Sequence, residues 1–463
     1  MAQAKQDMGS GSVKKLMLQL MIPAVVAQVV NLLYNIVDRI YIGHIAGIGA
    51  AALTGVGLFT PILMLLNAFA MLVGAGGAPR TAIALGQGDK EQAEKIISNS
   101  FTMLLLFSVV LTVVFYAGAP TLLRLFGASD ATLPYALSYS RIYILGSVFV
   151  LLVLGMNPFI TTQGFAKTSM LTTVIGAVIN IILDPIFIFG YFGLPAMGTR
   201  GAAIATVAGQ IIAMLLGLYF NLTKNTDVQF DFKCIKLESY YFKGICTVGI
   251  PTIIMQSMSS VMCFGINKLL LDFSTTSTAV FGAYFKLQTF VYMAVFGLNN
   301  ALIPIVAFNI GAKHAERIKK VIRLSGAYSA LIGLVGLIIM EMLPIQLISA
   351  FAPSEEMFLL GVTALRILGL SFVFGGISVM TCYALQGFSR GIASLLISAL
   401  RQVIILLPLA SIMGKMMGIN GIWWSFLVSE TVTVAFAIIY LGIAEKKELS
   451  FLASMPLEQS IAK

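Results

Sequence analysis

The sequence contains a series of apolar segments that are each long enough to cross a lipid bilayer as a helix. About 20 apolar residues span the hydrocarbon core in this way, and segments of that length recur throughout the 463 residues. We predict twelve of them, at residues 15–42, 51–77, 95–117, 133–156, 168–191, 201–222, 244–272, 279–304, 324–348, 362–385, 393–413 and 421–443. The sequence therefore predicts an all-α polytopic membrane protein.

Composition supports this class and excludes several others. Hydrophobic residues make up 59% of the chain and charged residues 10%, and the mean hydropathy is +0.96. Soluble domains are roughly 45–50% apolar and about 25% charged, so a soluble enzyme and a disordered chain are excluded. An outer-membrane barrel is excluded as well, because its strands would be short and alternating.

The net charge of +10 is explained by membrane topology. Most of the 29 Lys and Arg residues fall in the N-terminus, alternate loops, the central linker and the C-terminus. By the positive-inside rule these regions face the cytoplasm. We therefore predict an inner or plasma membrane protein with both termini cytoplasmic, and we expect no nucleic-acid partner.

The two halves of the chain resemble each other, which indicates duplication of a six-helix unit. An even number of helices inserts both units in one orientation, so a pseudo-twofold axis along the membrane normal is expected. The matches are KLMLQLMIP at 15–23 with KGICTVGIP at 243–251, QGF at 163–165 with QGF at 386–388, and MGxxG at 197–201 with MGxxG at 417–421.

This duplication predicts two pseudo-symmetric six-helix bundles. The N-terminal bundle covers residues 1–222, and the C-terminal bundle covers 241–444. A polar stretch at 223–240 reads as a cytoplasmic linker between them, and 445–463 form a cytoplasmic tail.

Two aspartates lie in predicted membrane helices, where a carboxylate is costly unless it faces water or a partner. Asp38 shares a helical face with Asn31 and Tyr34 in the first segment. Asp184 lies four residues after Asn180 in the fifth segment, so these two side chains share a face as well. A functional role is therefore favoured over a purely structural role for both aspartates.

Together with Asn180, and with Thr206 from the sixth segment, the two aspartates offer the oxygen ligands that a hard cation requires. The same groups are equally able to hold a proton. In the second half these polar positions become apolar: Asp38 aligns with Ile266, Asn180 with Val403, Asp184 with Leu407 and Thr206 with Phe426. We therefore predict a specialised cation or proton site in the N-terminal bundle, with packing between helices as the alternative role for Thr206.

These stretches together resemble the MATE family of multidrug and toxic compound extrusion transporters. The resemblance covers the whole chain and rests on the combination of motifs. The stretches are NLLYNIVDRIYIGHI (31–45), GGAPRTAIALGQGD (76–89), TTQGFAKTSM (161–170), NIILDPIFIFG (180–190) and MGTRGAAIAT (197–206).

The resemblance implies two bundles around a central cavity, and export of cationic or amphipathic drugs in exchange for Na⁺ or H⁺ by alternating access. We also expect a monomer and no cofactor beyond the coupling ion. Two further roles are implied by the resemblance. Asn31, Tyr34 and Asn157 are expected to line the drug cavity, and Pro23 is expected to act as a hinge in the first helix.

The resemblance favours the DinF-like branch of that family. The NorM-like branch carries an acidic residue in the seventh helix, where this chain has Cys263 and Ile266 and reaches Asp272 only at the end. The ion site implied for DinF-like members lies in the N-terminal bundle, and Asp38 and Asp184 match its positions.

Two other functions remain as alternatives at the level of the sequence. A flippase for lipid-linked precursors has similar bundles, although no wide cationic cavity or extra helices are evident. An intramembrane aspartyl protease would also use two aspartates, but neither IVDR around Asp38 nor ILDP around Asp184 is a GxGD motif. The sequence leaves open the substrate, the choice between H⁺ and Na⁺, and the roles of Glu430 and Lys286.

Overall fold

The computed structural model describes residues 6–223, 228 and 237–454. Regular structure in these ranges is helical, with a short 3₁₀ turn after α7 and a π-helical turn after α15. The α-helices are α1 Val13–Gly43, α2 Gly49–Leu58, α3 Thr60–Gly86, α4 Lys90–Leu125, α5 Leu133–Leu145, α6 Ser147–Thr162, α7 Ala166–Phe189, α8 Thr199–Thr223, α9 Ser239–Leu271, α10 Thr275–Gly311, α11 Ala315–Met342, α12 Pro344–Ser349, α13 Glu355–Gly369, α14 Phe372–Gly387, α15 Gly391–Ala399, α16 Leu406–Met417 and α17 Ile419–Ser454.

The helices account for the predicted membrane spans, and they confirm the all-α polytopic class. Among the described residues, ten helical stretches are long and apolar enough to cross a membrane. Two further spans are bent pairs: α5 and α6 meet at 56°, and α13 and α14 meet at 51°. The spans number twelve when each pair counts as one. The second helix of each pair begins 225 residues from the other, at Ser147 and Phe372, as expected of duplicated units.

The chain forms two compact units whose boundaries fall inside two helices. One unit contains Ile22–Ile250, and the other contains Met8–Met21 together with the chain from Pro251 onward. The helices α1 and α9 run continuously through Pro23 and Pro251, the prolines that align in the repeat. A proline inside a helix removes one backbone hydrogen bond, so each helix is weakened where it passes from one unit to the next. The predicted linker at 223–240 lies mostly outside the described residues.

The MGxxG motif has the same structural role in both halves. Its first glycine has a positive φ, 55° at Gly198 and 65° at Gly418, a conformation that side chains with a Cβ rarely adopt. Its second glycine lies against the preceding helix. A Cβ at Gly201 would overlap the Phe187 carbonyl, and a Cβ at Gly421 would overlap the Met413 carbonyl. Both glycines therefore allow two consecutive helices to pack tightly.

The QGF repeat does not mark equivalent positions. The turn between α6 and α7 places its positive φ at Gly164 (92°), whereas the turn between α14 and α15 places it at Ser389 (58°). These residues are 225 apart, and the helices that flank them begin and end at the same offset. The QGF match at an offset of 223 is therefore a coincidence, because structurally equivalent positions are 225 residues apart. At the corrected offset Asp184 aligns with Leu409, which is still apolar.

An arginine of α11 holds the segment that precedes α1. The guanidinium of Arg317 donates hydrogen bonds to the Met8 carbonyl at 3.0 Å, the Ser10 carbonyl at 2.5 Å and the Gly11 carbonyl at 2.7 Å. Asn309 donates a further bond to the Met8 carbonyl at 3.0 Å. The Met8 side chain is 3% exposed, so the segment is packed as well as hydrogen-bonded.

We expect Arg317→Ala to release this segment. Bonds from a charged donor contribute about 1.5–3 kcal/mol each, so amide exchange in peptides covering residues 6–13 should become at least about tenfold faster. Arg323→Ala, on the exposed face of the same helix, should leave exchange unchanged. Equal exchange in both variants, measured by hydrogen–deuterium mass spectrometry, would show that Arg317 does not anchor the segment.

Candidate functional site

The candidate site is positioned by a close approach of α7 and α8. A Cβ built at Gly209 would lie 2.5 Å from the Gly176 carbonyl oxygen, and one at Gly176 would lie 2.9 Å from the Gly209 carbonyl oxygen. Small residues at such crossings let membrane helices approach until their backbones touch. The polar residues one turn away, Asn180 on α7 and Thr206 on α8, are thereby brought within hydrogen-bonding distance.

Three of the four residues predicted for the cation site are in direct contact. The Asn180 amide nitrogen donates to Asp184 Oδ1 at 3.3 Å and to Thr206 Oγ1 at 3.3 Å. The Thr206 hydroxyl donates to the Ala202 carbonyl at 2.9 Å. Asp184 is 0% exposed, Asn180 3% and Thr206 7%. The cluster is therefore a buried polar site within helices that are rich in apolar side chains.

Asp38 on α1 is the fourth predicted residue, and it belongs to the same compact unit. Its side chain is 9% exposed, and its carboxyl group interacts electrostatically with that of Asp184. Tyr34, one turn before it, interacts with both carboxyl groups. The two carboxyl groups are therefore within electrostatic range, but among the described residues no hydrogen bond joins Asp38 to the other three.

Three oxygen atoms of this cluster have no hydrogen-bond partner among the described residues. They are Oδ1 of Asp38, Oδ1 of Asn180 and Oδ2 of Asp184. A buried oxygen without a partner carries a large desolvation cost, which a bound cation, a proton or water removes. Carboxylate and amide oxygens are the ligands preferred by hard cations. The arrangement is therefore chemically able to bind Na⁺ or H⁺.

Sequence reasoning missed two tyrosines beside the cluster. Tyr139 and Tyr143 lie on α5 with their rings stacked at 6.0 Å between centroids, and both interact electrostatically with Asp38. Phe59 packs edge-on against both rings. The four-residue spacing of the tyrosines indicates a shared helix face, but nothing in the sequence relates that face to α1.

The three residues expected to line a drug cavity differ from one another in their hydrogen bonds and burial. The Asn157 amide nitrogen donates to Thr173 Oγ1 at 3.1 Å, and its oxygen accepts from Thr172 Oγ1 at 3.1 Å. Asn157 thus joins α6 to α7, as polar residues do between membrane helices. Asn31 and Tyr34 are half-buried on α1. Drug contact at these three positions and the hinge at Pro23 stay predictions.

Two charged residues that the sequence left open have partners in the second unit. Lys286 places its nitrogen 5.8 Å from the centre of the Phe351 ring, a cation–π contact. Glu430 pairs with Arg401, with 3.2 Å between Oε1 and the arginine Nη1. Both members of that ion pair are largely buried.

Comparison with known sequences identifies the family. The MatE family profile matches residues 23–186 and again 251–412, one match in each compact unit. The chain belongs to the MatE family. The two matches begin at Pro23 and Pro251, the aligned prolines of α1 and α9. The duplicated unit seen in the sequence is therefore the unit that the MatE profile describes.

Curated relatives cover nearly the whole chain. The multidrug export protein MepA of Staphylococcus haemolyticus is 26% identical over 427 residues, which is 92% of this chain and 93% of MepA. The probable multidrug resistance protein YoeA of Bacillus subtilis is 26% identical and covers 76% of both chains. An FAD transporter of Shewanella oneidensis is 24% identical and covers 89% of this chain and 91% of its own.

Solved structures show the same fold. A crystal structure of a MATE protein in the bent conformation superposes with a TM-score of 0.88 at 24% identity, over 96% of this chain and 98% of the other. An outward-facing MATE family multidrug transporter superposes with a TM-score of 0.87, over 98% and 100%. This MatE family member is an integral membrane transporter and not an enzyme, so the protease alternative is excluded.

Proposed function

We propose that this transporter exports cationic or amphipathic organic compounds from the cytoplasm in exchange for H⁺ or Na⁺, by alternating access. In this proposal it acts as a monomer in the inner or plasma membrane, with both termini cytoplasmic. The relatives named as multidrug export proteins support the substrate class. The coupling role rests on one observation, the buried cluster around Asp184 whose oxygens lack partners.

The coupling ion binds among Asp38, Asn180, Asp184 and Thr206 in this mechanism. An ion drives transport only when it binds one conformation more tightly than another, since equal binding shifts no equilibrium. The first helix offers a route for that difference. It carries Asp38 and is weakened at Pro23, so ion binding at Asp38 favours one arrangement of α1 over another.

The membrane potential supplies energy when more positive charge enters than leaves, as in the exchange of one ion for an uncharged amphipathic compound. One elementary charge moved across about 100 mV yields roughly 2.3 kcal/mol, which supports about a fifty-fold substrate gradient. An ion concentration gradient adds to this value. A monovalent cationic drug carries its own charge outward, so its exchange for a single monovalent ion moves no net charge and is driven by the ion concentration gradient alone.

Dye efflux from proteoliposomes tests the proposal. The purified protein is reconstituted with ethidium inside, and a proton gradient and a sodium gradient are imposed separately. We expect saturable efflux under one gradient and none without a gradient. A flippase for lipid-linked precursors would give no ethidium efflux under either gradient, and that result would refute the export proposal.

The FAD transporter relative motivates one addition to this assay. Its similarity covers nearly as much of the chain as that of the multidrug relatives, so FAD is tested both as a competitor and as a radiolabelled substrate. Competition by cationic dyes but not by FAD supports the proposed substrate class. Gradient-driven movement of FAD with no movement of ethidium contradicts it.

A further inference from the structure

The exposed face of α11 changes from apolar to charged along its length. Its exposed residues recur every three or four positions, so they form one stripe along the helix. Towards the end of α11 the stripe is apolar and consists of Ala327, Leu331, Leu334, Val335, Ile338 and Met342. Towards the beginning of α11 the stripe continues through Arg323, Lys320 and Glu316, which are exposed as well. One continuous surface therefore combines an apolar part with a charged part.

The length of the apolar part matches the interior of a lipid bilayer. Arg323 and Glu341 are separated by about 27 Å along α11, at a helical rise of 1.5 Å per residue. The hydrocarbon core of a bilayer is about 30 Å thick. Glu341 Oε2 lies 3.9 Å from Nε of Arg366 on α13, so charged groups bound the apolar part at both ends. The apolar part therefore lies at the level of the lipid chains, and Arg323 lies at the level of the lipid phosphates.

Lys320 and Arg323 are cations that this part of the protein does not neutralise. Neither side chain forms a hydrogen bond or a close ion pair with a described residue. Glu316 lies within electrostatic range of Arg323, but it pairs with Lys319 Nζ at 2.7 Å. Arg317, the remaining cation of these turns, donates to backbone carbonyls of the segment before α1. Two positive charges are therefore left at the level of the lipid phosphates.

The equivalent helix of the other unit, α4, lacks this basic end. The two helices begin 225 residues apart, and at that offset four exposed apolar residues of α4 match the stripe of α11: Leu106, Val109, Val110 and Val113. The position equivalent to Arg323 is Ser98, which is buried. Lys95 is equivalent to Lys320, and it pairs with Glu91 at 2.6 Å. Both helices therefore share the apolar stripe, whereas the two unpaired cations belong to α11.

We propose that Lys320 and Arg323 form a binding site for an anionic phospholipid on the exposed face of α11. The lipid phosphate lies between the ammonium and guanidinium groups, and an acyl chain lies along Leu331, Leu334 and Ile338. This site goes beyond the proposed export of organic compounds. It depends neither on the exported substrate nor on the coupling ion.

Two neighbouring cations beside an apolar surface select this class of ligand. Residues three apart on a helix are neighbours, so both charges reach one phosphate group. The guanidinium presents its N–H donors in a fork that matches phosphate oxygens, and basic residues beside a membrane span attract anionic lipids. A soluble anion would leave the apolar stripe unused. A zwitterionic lipid would bring a positive headgroup towards both cations. An anionic phospholipid suits both parts of the surface.

Lipid binding to the full-length protein in detergent tests the site. Native mass spectrometry counts the bound molecules of phosphatidylglycerol and of phosphatidylcholine with identical acyl chains. We expect phosphatidylglycerol to bind at least about tenfold more tightly, because two positive charges attract its phosphate and its headgroup carries no opposing charge. Equal binding of the two lipids overturns the proposal.

A paired substitution tests the two residues. Lys320→Gln/Arg323→Gln should remove the preference for phosphatidylglycerol. The matched control is Lys90→Gln/Lys95→Gln, which removes two positive charges from the first two turns of α4 and leaves the protein with the same net charge. We expect this control to keep the preference of the unmodified protein. A preference that survives in the first variant, or that falls equally in both, contradicts a site on α11.

The soluble compound glycerophosphoglycerol separates a lipid site from a phosphate site. It carries the phosphate of phosphatidylglycerol without the acyl chains, so it cannot use the apolar stripe and should displace little lipid even in large excess. Displacement at a concentration equal to that of the lipid would show a site for soluble phosphate compounds and would refute the lipid assignment.

Folding and export are measured on the same preparations. Both paired variants change exposed side chains, so the melting midpoints should match that of the unmodified protein. If Lys320→Gln/Arg323→Gln does not fold, Arg323→Gln alone is expected to weaken phosphatidylglycerol binding, and unchanged binding there counts against the site. Lipid binding is measured without transport, so failure of ethidium efflux in the unmodified protein would refute the export proposal alone.

Discussion

Asp184→Asn should abolish most ion-driven export, with a fall in ethidium efflux of at least about tenfold. The substitution keeps the size of the side chain and removes its charge, so a cation loses its strongest ligand and a proton has no acceptor. Asp184 is 0% exposed and is held by Asn180 at 3.3 Å, so bulk water does not replace the lost carboxylate. Asp38→Asn should give a similar loss.

The control for this result is Asp130→Asn. Asp130 belongs to the same compact unit, but its side chain is 92% exposed and pairs with Arg124 at 3.2 Å. An exposed pair of this kind contributes at most about 1 kcal/mol, and we expect efflux at the level of the unmodified protein. Both gradients are tested in proteoliposomes. An Asp184→Asn variant that still exports at an undiminished rate under an ion gradient would refute the coupling role.

The second large effect is expected from Gly209→Ala. The added methyl group would lie 2.5 Å from the Gly176 carbonyl oxygen and 3.4 Å from Asn180 Cβ, so α7 and α8 must move apart. Overpacking of this kind costs about 1–3 kcal/mol. It also separates Asn180 from Thr206, so both the melting midpoint and the ion-driven efflux should fall.

Gly217→Ala is the matched control because it makes the same change two turns further along α8. A methyl group there would meet only Ile160 at 3.8 Å and Thr172 at 3.9 Å, which are ordinary contacts. Alanine favours a helix by about 1 kcal/mol over glycine, so this variant should melt at the same temperature or higher. Equal midpoints for the two variants, measured by thermal unfolding in detergent, would show that the close approach at Gly209 is unimportant.

The N-terminal polar cluster could be foreseen from the sequence because its signal is local. Asn180 and Asp184 are four residues apart, and an acidic residue in an apolar helix is costly enough to require a reason. The alignment of the two halves then indicated that the cluster is specific to the N-terminal half, because the equivalent positions of the C-terminal half are apolar. The sequence offered Thr206 only as a further candidate ligand, with helix packing as the alternative, and the structure shows its contact with Asn180. Tyr139 and Tyr143 were not predicted, since α5 has no sequence relation to the site.

The Arg401–Glu430 pair, in contrast, could not be predicted from the sequence. Its members are 29 residues apart on different helices, and the sequence left Glu430 without an assigned partner. The π-helical turn at Leu400–Ile404 adds one residue to a turn of helix, and no residue type in that stretch requires it. Contacts with α17, where Glu430 pairs with its guanidinium and Ser429 donates to its carbonyl, therefore decide where Arg401 lies.

The sequence by itself determined the membrane class, the twelve spans and the duplicated unit, and it placed the buried polar cluster in the N-terminal half. It did so because transfer of apolar residues and carboxylates into a bilayer has a large free energy that depends on each residue's own chemistry. Only the tertiary structure decided the bends within two spans, the change of compact unit inside α1 and α9, and the pairing of Arg401 with Glu430. These features depend on small differences in packing between helices that are far apart in the chain, and such differences leave no periodic pattern in the residues.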